Sequence, residues 1–406
     1  MSLLPVGQDF RRFWLARVTS FAGDQIAQVA LIVMAAAEGP LAASMVLLAL
    51  SLPRLVGPFG GALADIYSAK KIMVLTDLGQ MVLFGVVAVI PFHLAVSIPI
   101  IAVATLLNTL FLPAGRRSIP AMVDAEQLPN AFAAMAICFN AGFAAGPLLG
   151  GALLTVVDAR VVVLIDALTF LASIVLIVRL DLPKTPRAEE HRVGYGRTLA
   201  LGFRELVGNR LLGSVALGLF AVVAFAALTT ASLVFLARDA LNAPAWAYGA
   251  LVGVHGIGMV VGPTVFLGQV RRSRNPLRTW GFGQGLFGVG ALTLAVTPWL
   301  GTAFVSQLAA GAGNGIGNVA TDLIVQHATP GRMLGTVSGI TMSIPFAASS
   351  LAYLLATPLL DALGPRWVIT ISGAGVVSAV LLISALAPAI SAAPIPSEVA
   401  DETDMS

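Results

Sequence analysis

WLARVTSFAGDQIAQVALIVMAAA, residues 14–37, decides the fold. A helix rises about 1.5 Å per residue, and about 20 mostly apolar residues cross the hydrocarbon of a bilayer. This stretch is long and apolar enough, yet Asp24 sits near its middle. Breaking the chain at charged residues and at Gly/Pro turns yields eleven more such stretches. They lie at 42–64, 72–92, 95–115, 130–156, 161–180, 211–237, 245–269, 278–298, 301–325, 334–358 and 366–388. They are continuous and rich in Ala, Leu and Val. They lack the period-2 alternation of a membrane barrel, so they read as helices whose backbones satisfy themselves in lipid. The expected fold is an all-α integral membrane protein with twelve transmembrane helices. The whole chain agrees: 58% of its 406 residues are hydrophobic and 11% charged, against about 25% charged in soluble domains. Its mean hydropathy is +0.92.

Basic residues orient the helices, because Arg and Lys accumulate in cytoplasmic loops. Of the 23, 19 fall on one side: Arg11, Arg12 and Arg17, Lys70 and Lys71, Arg116 and Arg117, the seven from Arg179 to Arg210, Arg271, Arg272, Arg274 and Arg278, and Arg332. The other side holds Arg160, Arg238 and Arg366, and Arg54 lies inside the second stretch. Both termini are therefore expected in the cytoplasm. The net charge of +3 and pI near 9.3 follow from this asymmetry and are no argument for a nucleic-acid partner. The first stretch holds an acid and closes with no small-residue cleavage pattern, so it is not read as a cleaved signal.

Other classes find no support in the residues. Cys138 is the one cysteine, and His93, His191, His255 and His327 are scattered, so neither a disulfide framework nor a metal site is expected. No phosphate-binding loop or nucleophile–base constellation appears. The chain reads as a non-enzyme without cofactor, and any pumping must draw on an ion gradient.

The hydrophilic stretch 182–208 divides the helices six and six. The expected organisation is an N-terminal six-helix bundle (1–181), a cytoplasmic central loop (182–208), a C-terminal six-helix bundle (209–390) and a disordered acidic tail (391–406). VDAEQLPNAF (123–132) and TPGRMLGTVS (329–338) occupy equivalent places after the fourth and tenth stretches. Repeated halves suggest a transporter.

Ionisable residues inside a membrane are costly, by about 2.5–3.5 kcal/mol or more at mid-span. Asp24 forms a stripe with Ser20 and Gln28, spaced by four on one helix face. Arg54 enters the second stretch at similar depth, so Asp24 and Arg54 are expected to meet across the hairpin. A carboxylate whose surroundings change between two conformations is what proton coupling needs; a permanent structural ion pair is the competing reading. Asn314, Asn318 and Asp322 form a second stripe, with Asp322 a further coupling or gating candidate. Thr105, Asn108 and Thr109 share one face of the fourth stretch. Asp77 is read as lying near the cytoplasmic surface and Asp166 near the outer face, both structural. Phe220, Phe225, Thr229 and Thr230 leave the seventh stretch mostly apolar.

Several stretches resemble the major facilitator superfamily, over essentially the whole chain. GGALADIYSAKK (60–71) is similar to its loop 2–3 signature through Gly61, Asp65, Lys70 and Lys71, with Ile66 and Ser68 in place of the usual Arg and Gly. AGFAAGPLLGG (141–151) resembles the fifth-helix signature of its drug:proton antiporters through Gly142, Gly146, Pro147, Gly150 and Gly151. FRRFWLARVTSFAGDQIAQVAL (10–31), SLPRLVGPFGGALAD (51–65), LIDALTFLAS (164–173) and GAGNGIGNVATDLIVQHATPGRMLGTVSG (311–339) look like the branch with the enterobactin and macrolide exporters. The resemblance implies two six-helix bundles around a central cavity lined by helices 1, 4, 7 and 10; with Arg54 as the mid-membrane cation, a cavity so lined would suit a bulky amphiphile better than a sugar or a strongly anionic metabolite. It implies alternating access and export of a drug, siderophore or secondary metabolite against protons. Asp65 would latch the cytoplasmic gate, and the fifth-helix glycines would let the halves hinge. The implied setting is the bacterial cytoplasmic (inner) membrane, with the protein working as a monomer; 20 Arg against 3 Lys fits a high-GC bacterial genome. The alternatives are a nutrient symporter or facilitator, or a receptor or assembly factor on the same fold.

Overall fold

The computed structural model describes residues 7–57, 67–182, 195–266 and 275–391. Gly61, Asp65 and the tail from 392 lie outside these residues. The described chain is all helix and connection. Helices α1 (Gln8–Glu38), α2 (Pro40–Ser51, continued by a tight turn Leu52–Val56), α3 (Ala69–Val89), α4 (Leu94–Ser118), α5 (Leu128–Leu153) and α6 (Ala159–Val178) come first. Then come α7 (Tyr195–Gly208), α8 (Arg210–Phe235, ending in a π turn Leu236–Ala240), α9 (Trp246–Val265), α10 (Pro276–Ala295), α11 (Leu300–Ala328) and α12 (Leu334–Ser391). By length and composition α1, α3, α4, α5, α6, α8, α9 and α12 can each cross a membrane. α10 and α11 are as long but interrupted by glycines and amides such as Gln284, Gln307, Asn314 and Asn318.

Local chemistry sets the boundaries. The Asn209 side chain accepts from the N–H of Leu211 and Leu212, and the Asn275 side chain from Leu277 and Arg278, capping α8 and α10. Two Gly-Pro pairs make the sharpest reversals. Gly39, at φ 114°, ends α1 and Pro40 opens α2. At 58 residues α12 would run about 87 Å as one rod, far more than a bilayer. Gly364, at φ 74°, breaks it and Pro365 restarts it. Only a residue without Cβ takes such angles freely.

α1–α6 pack chiefly on one another, and so do α8–α12. Between the two groups α5 meets α9, and α2 meets the first arm of α12. The apolar cores show how the groups sit. One core draws on both, from Val29–Ala36 and Ala42–Ala49 to Ala227–Ala237, Tyr248, Ala352–Leu360 and Ile369. All of it lies at the end holding the Gly-Pro turns. At the opposite end, which holds Arg11, Arg12, Lys70 and Arg116, the cores separate. One contains Phe10, Phe13, Met73, Phe111 and Ile177 from the first group, the others Trp280, Ile324 and Val380, or Leu206 and Val337, from the second. The groups share a core at the turn end and keep separate cores at the basic end, where we read the space between them as a cleft.

Arginines secure the turn end. Arg238 donates to the carbonyl of Ala36, the last turn of α1, and so ties α8 to α1. Arg366 donates to the carbonyls of Ala295 and Thr297, at 2.8 and 2.7 Å, where α10 ends. Cations at helix C-termini answer unpaired carbonyls and the helix dipole. The stretch expected as a loop at 182–208 is helical from Tyr195. Gly202 and Leu206, one turn apart, bury the inner face of α7, with Gly202 against Thr336 and Ile340.

Candidate functional site

Arg17, Ser20, Asp24 and Gln28 recur every three or four residues on α1, which sets them on one side of the helix. Asp24 and Gln28 are partly exposed, whereas Ser20 is buried. Asn108 of α4 reaches across: its Nδ2 donates to Asp24 Oδ2 at 3.4 Å and to Gln80 Oε1 of α3 at 3.0 Å. Gln80 in turn donates to the Thr76 carbonyl at 3.3 Å. A polar line thus runs from the wall of the cleft at α1, through α4, into α3. The neighbours of Asn108 do not join it. Thr105 and Thr109 spend their hydroxyls on the carbonyls of Ile101 and Leu106 in their own helix.

The expected Asp24–Arg54 contact is not a salt bridge. Arg54 lies within electrostatic reach of Asp24, but Arg17 is the stronger influence on that acid. The reason is the tight turn Leu52–Val56, which swings Arg54 toward α12. Its guanidinium stands 5.6 Å from the centre of the Phe346 ring. Beside it, Ser51 Oγ donates to the Phe346 carbonyl at 3.2 Å and lies 2.8 Å from Ser349 Oγ. Arg54 therefore stands where the two groups meet.

Arg17 is the cation that the loop assignment overlooked. It is 4% exposed, its guanidinium lies 4.4 Å from the Phe111 ring centre and 5.8 Å from that of Phe139, and it donates to Ser20 Oγ at 3.2 Å. A cavity of about 390 Å³ opens beside it, lined among others by Phe13, Phe111, Arg116, Phe139 and Asn140. Its spacing from Ser20 and Asp24 was the signal for it. The lining is aromatic and cationic, so the argument against an anionic ligand, which rested on Arg54 alone, falls.

Asp77 and Asp166 are also placed differently from expectation. Both are fully buried, and both lie within electrostatic reach of Asp24 and of each other. Asp77 pairs with no loop arginine: among the described residues the Ser173 hydroxyl of α6 lies beside it, outside good hydrogen-bond geometry.

On the second group, α11 packs Gly313 and Gly317 on α10, and Gly311 and Gly315 on α9. The stripe Asn314, Asn318, Asp322 occupies what is left. Asn318 and Asp322 are exposed, and Asn314 lies 3.4 Å from His255 Nε2. Among the described residues no hydrogen bond or ion pair joins this stripe to Asp24.

The gating candidates divide. Lys70 donates to the Leu180 carbonyl at 2.8 Å, just past the end of α6, while Lys71 is exposed. In α5, which holds Pro147, Gly142, Gly146 and Gly150 face α1, against Phe21, Gln25 and Ile26. These three lie inside the first group, not between the groups. Gly151 alone of the glycines turns to α9, where a methyl on it would sit 3.2 Å from Gly249 Cα. The Pro147 carbonyl faces the same glycine, and Gly256 lies over Phe143 and Ala144.

The Major Facilitator Superfamily model matches residues 13–344. An uncharacterised MFS-type transporter, YfiS of Bacillus subtilis (strain 168), is 25% identical over 350 residues, covering 83% of each chain. Among solved structures, the nucleoside transporter NupG superposes with a TM-score of 0.78 at 12% identity, over 93% of this chain and 99% of that one. A POT family transporter in complex with 5-aminolevulinic acid gives 0.77 at 11% identity, over 95% and 97%. At such identities the structures speak for the fold alone.

Proposed function

The chain belongs to the Major Facilitator Superfamily and is a transporter, not an enzyme; from that premise we propose that it exports an amphiphilic small molecule in exchange for protons. Its helices make twelve crossings in two six-helix bundles, with α7 lying outside the count. The basic end faces the cytoplasm, a reading supported by the 18 basic residues other than Arg17 that the sequence puts on that side, and the membrane is the bacterial inner membrane. The cleft of this structure is then open to the cytoplasm, ready to load an outgoing molecule, and one chain suffices.

One observation carries the reading. Asp24 stands part-exposed on the cleft wall, in reach of Arg17 and Arg54 and bonded to Asn108. Closing the basic end would change the water and charge around it, and so its hold on a proton. The aromatic cavity beside Arg17 offers apolar contact with a polar anchor, the combination an amphiphile uses. The fifth-helix resemblance and the Gly151–Gly249 approach favour antiport over uptake. Asp322 and the amides above it serve the opposite wall.

Proteoliposomes with an imposed pH gradient and a panel of fluorescent amphiphiles test this. Protons moving one way should drive at least one amphiphile the other way. Movement of both in the same direction would replace antiport by symport.

A further inference from the structure

We propose that Asp77 and Asp166 together hold one exchangeable proton behind the cleft wall and trade it with the cleft through Asp24. The inference rests on proton coupling as read above and gives it a second site. Asp77 sits on the buried face of α3, in the run Met73, Thr76, Asp77, Gln80. Asp166 sits on the buried face of α6 with Phe170 and Ser173. Both acids and Ser173 are 0% exposed. Asp166 Oδ1 accepts from Thr169 Oγ1 at 3.2 Å. Among the described residues Asp166 Oδ2 has no donor, and Asp77 has the Ser173 hydroxyl beside it, outside good hydrogen-bond geometry. A buried carboxylate with so little hydrogen bonding is costly as an anion.

The charged groups that face the pair do not neutralise it. α1 contributes Asp24 and Arg17, α3 and α6 contribute the pair itself, and α4 contributes only the neutral Asn108. Arg17 reaches Asp24 and Asp77, Arg54 of the Leu52–Val56 turn reaches Asp24, and Asp166 has only acids in reach; the Arg17 guanidinium is also engaged with Ser20 and Phe111. α1 seals the pair from the cleft. Gly23 lies directly on Asp166 Oδ1 and Thr169, so that even a methyl there would collide. The next residue, Asp24, opens to the cleft, and the Asn108–Gln80 bond leads from it to the turn of α3 that holds Asp77. The transfer is a proton moving from water to the Asp24 carboxylate and on to the pair, and back by the same route.

Infrared difference spectroscopy on the full chain in liposomes, without any transported molecule, is the test. The unaltered protein should show at neutral pH a protonated-carboxyl carbonyl band that shifts in deuterated water. The band should vanish in Asp77→Asn/Asp166→Asn and persist in Asp24→Asn. Asn mimics the protonated acid, so the double variant should melt within a few degrees of the parent. No band in the unaltered protein, or an undiminished band in the double variant, overturns the proposal. So does a melting point lowered by tens of degrees, which would make the acids ionic partners of Arg17, or a band that responds to sodium instead of pH. Because the band is read without transport, loss of antiport with the band intact would sink the exporter reading alone.

Discussion

The two groups of helices hold their acids in opposite ways. In the first, Asp24, Asp77 and Asp166 lie within electrostatic reach of one another, two of them sealed from solvent, with the buried Arg17 in reach of Asp24 and Asp77. In the second, Asp322 stands exposed on α11 beside amides. A solvated carboxylate gains or loses a proton with little effect on its surroundings, whereas a buried one alters the energy of every neighbour. The difference teaches where coupling sits: the first group should sense protons and the second should chiefly shape the cleft.

The sharpest way to break this contrast is Asp24→Asn. It should abolish gradient-driven flux in proteoliposomes while leaving exchange down a concentration gradient. A variant that still pumps uphill would move the coupling elsewhere. Next come two glycines of one helix. Gly146→Leu drives a side chain into Gln25 of α1, and overpacking of this kind costs about 1–3 kcal/mol. The melting temperature of the purified protein should fall. Gly151→Leu instead wedges α5 from α9, so it should slow the change of state more than it lowers the melting point; equal losses in both variants would erase the distinction. Smaller still is Arg238→Gln, which removes the tie to Ala36. A bond worth about 1 kcal/mol shifts a two-state balance roughly fivefold. Spin labels at Asn130→Cys and Gln326→Cys, with Cys138→Ala, should report a narrower cleft. The smallest effect belongs to Asp322→Asn, expected to leave uphill flux within about threefold of the parent if the acid is solvated. A total loss would put a coupling acid in each half.

Much of this architecture was legible in the sequence, because lipid forces apolar length and loop charge to agree. The segment around Asp24 read as helix, and the Ser20–Asp24–Gln28 and Asn314–Asn318–Asp322 stripes each lie along a single helix, α1 and α11. What spacing could not give was contact between helices. Arg54 seemed bound for Asp24 by depth, but the turn at Leu52–Val56 aims it at Phe346. Arg17 looked like a loop residue because α1 begins earlier than its apolar run, at Gln8. Asp77 and Asp166 were counted from opposite surfaces, and only the packing of α3 and α6 behind α1 brings them together. The helix α7 hid in a polar stretch because, among its residues from 200 onward, a narrow face at Gly202 and Leu206 is buried and most of the rest is exposed.

The approach of α5 and α9 has a mechanical consequence. Gly151 meets Gly249 and Gly256 meets Ala144, backbone to backbone, and between these two approaches the Leu148 side chain seats on Gly253. Interlocked side chains turn one helix past another in notches, each notch a set of rotamers to be undone. Bare backbone turns more like a journal in its sleeve. Tilting the two groups should therefore cross few notches, the Leu148–Gly253 seat among them, and the slow step of each cycle should fall on the proton, not on the protein's swing. In heavy water such a transporter slows, whereas one limited by its swing would keep nearly the same pace.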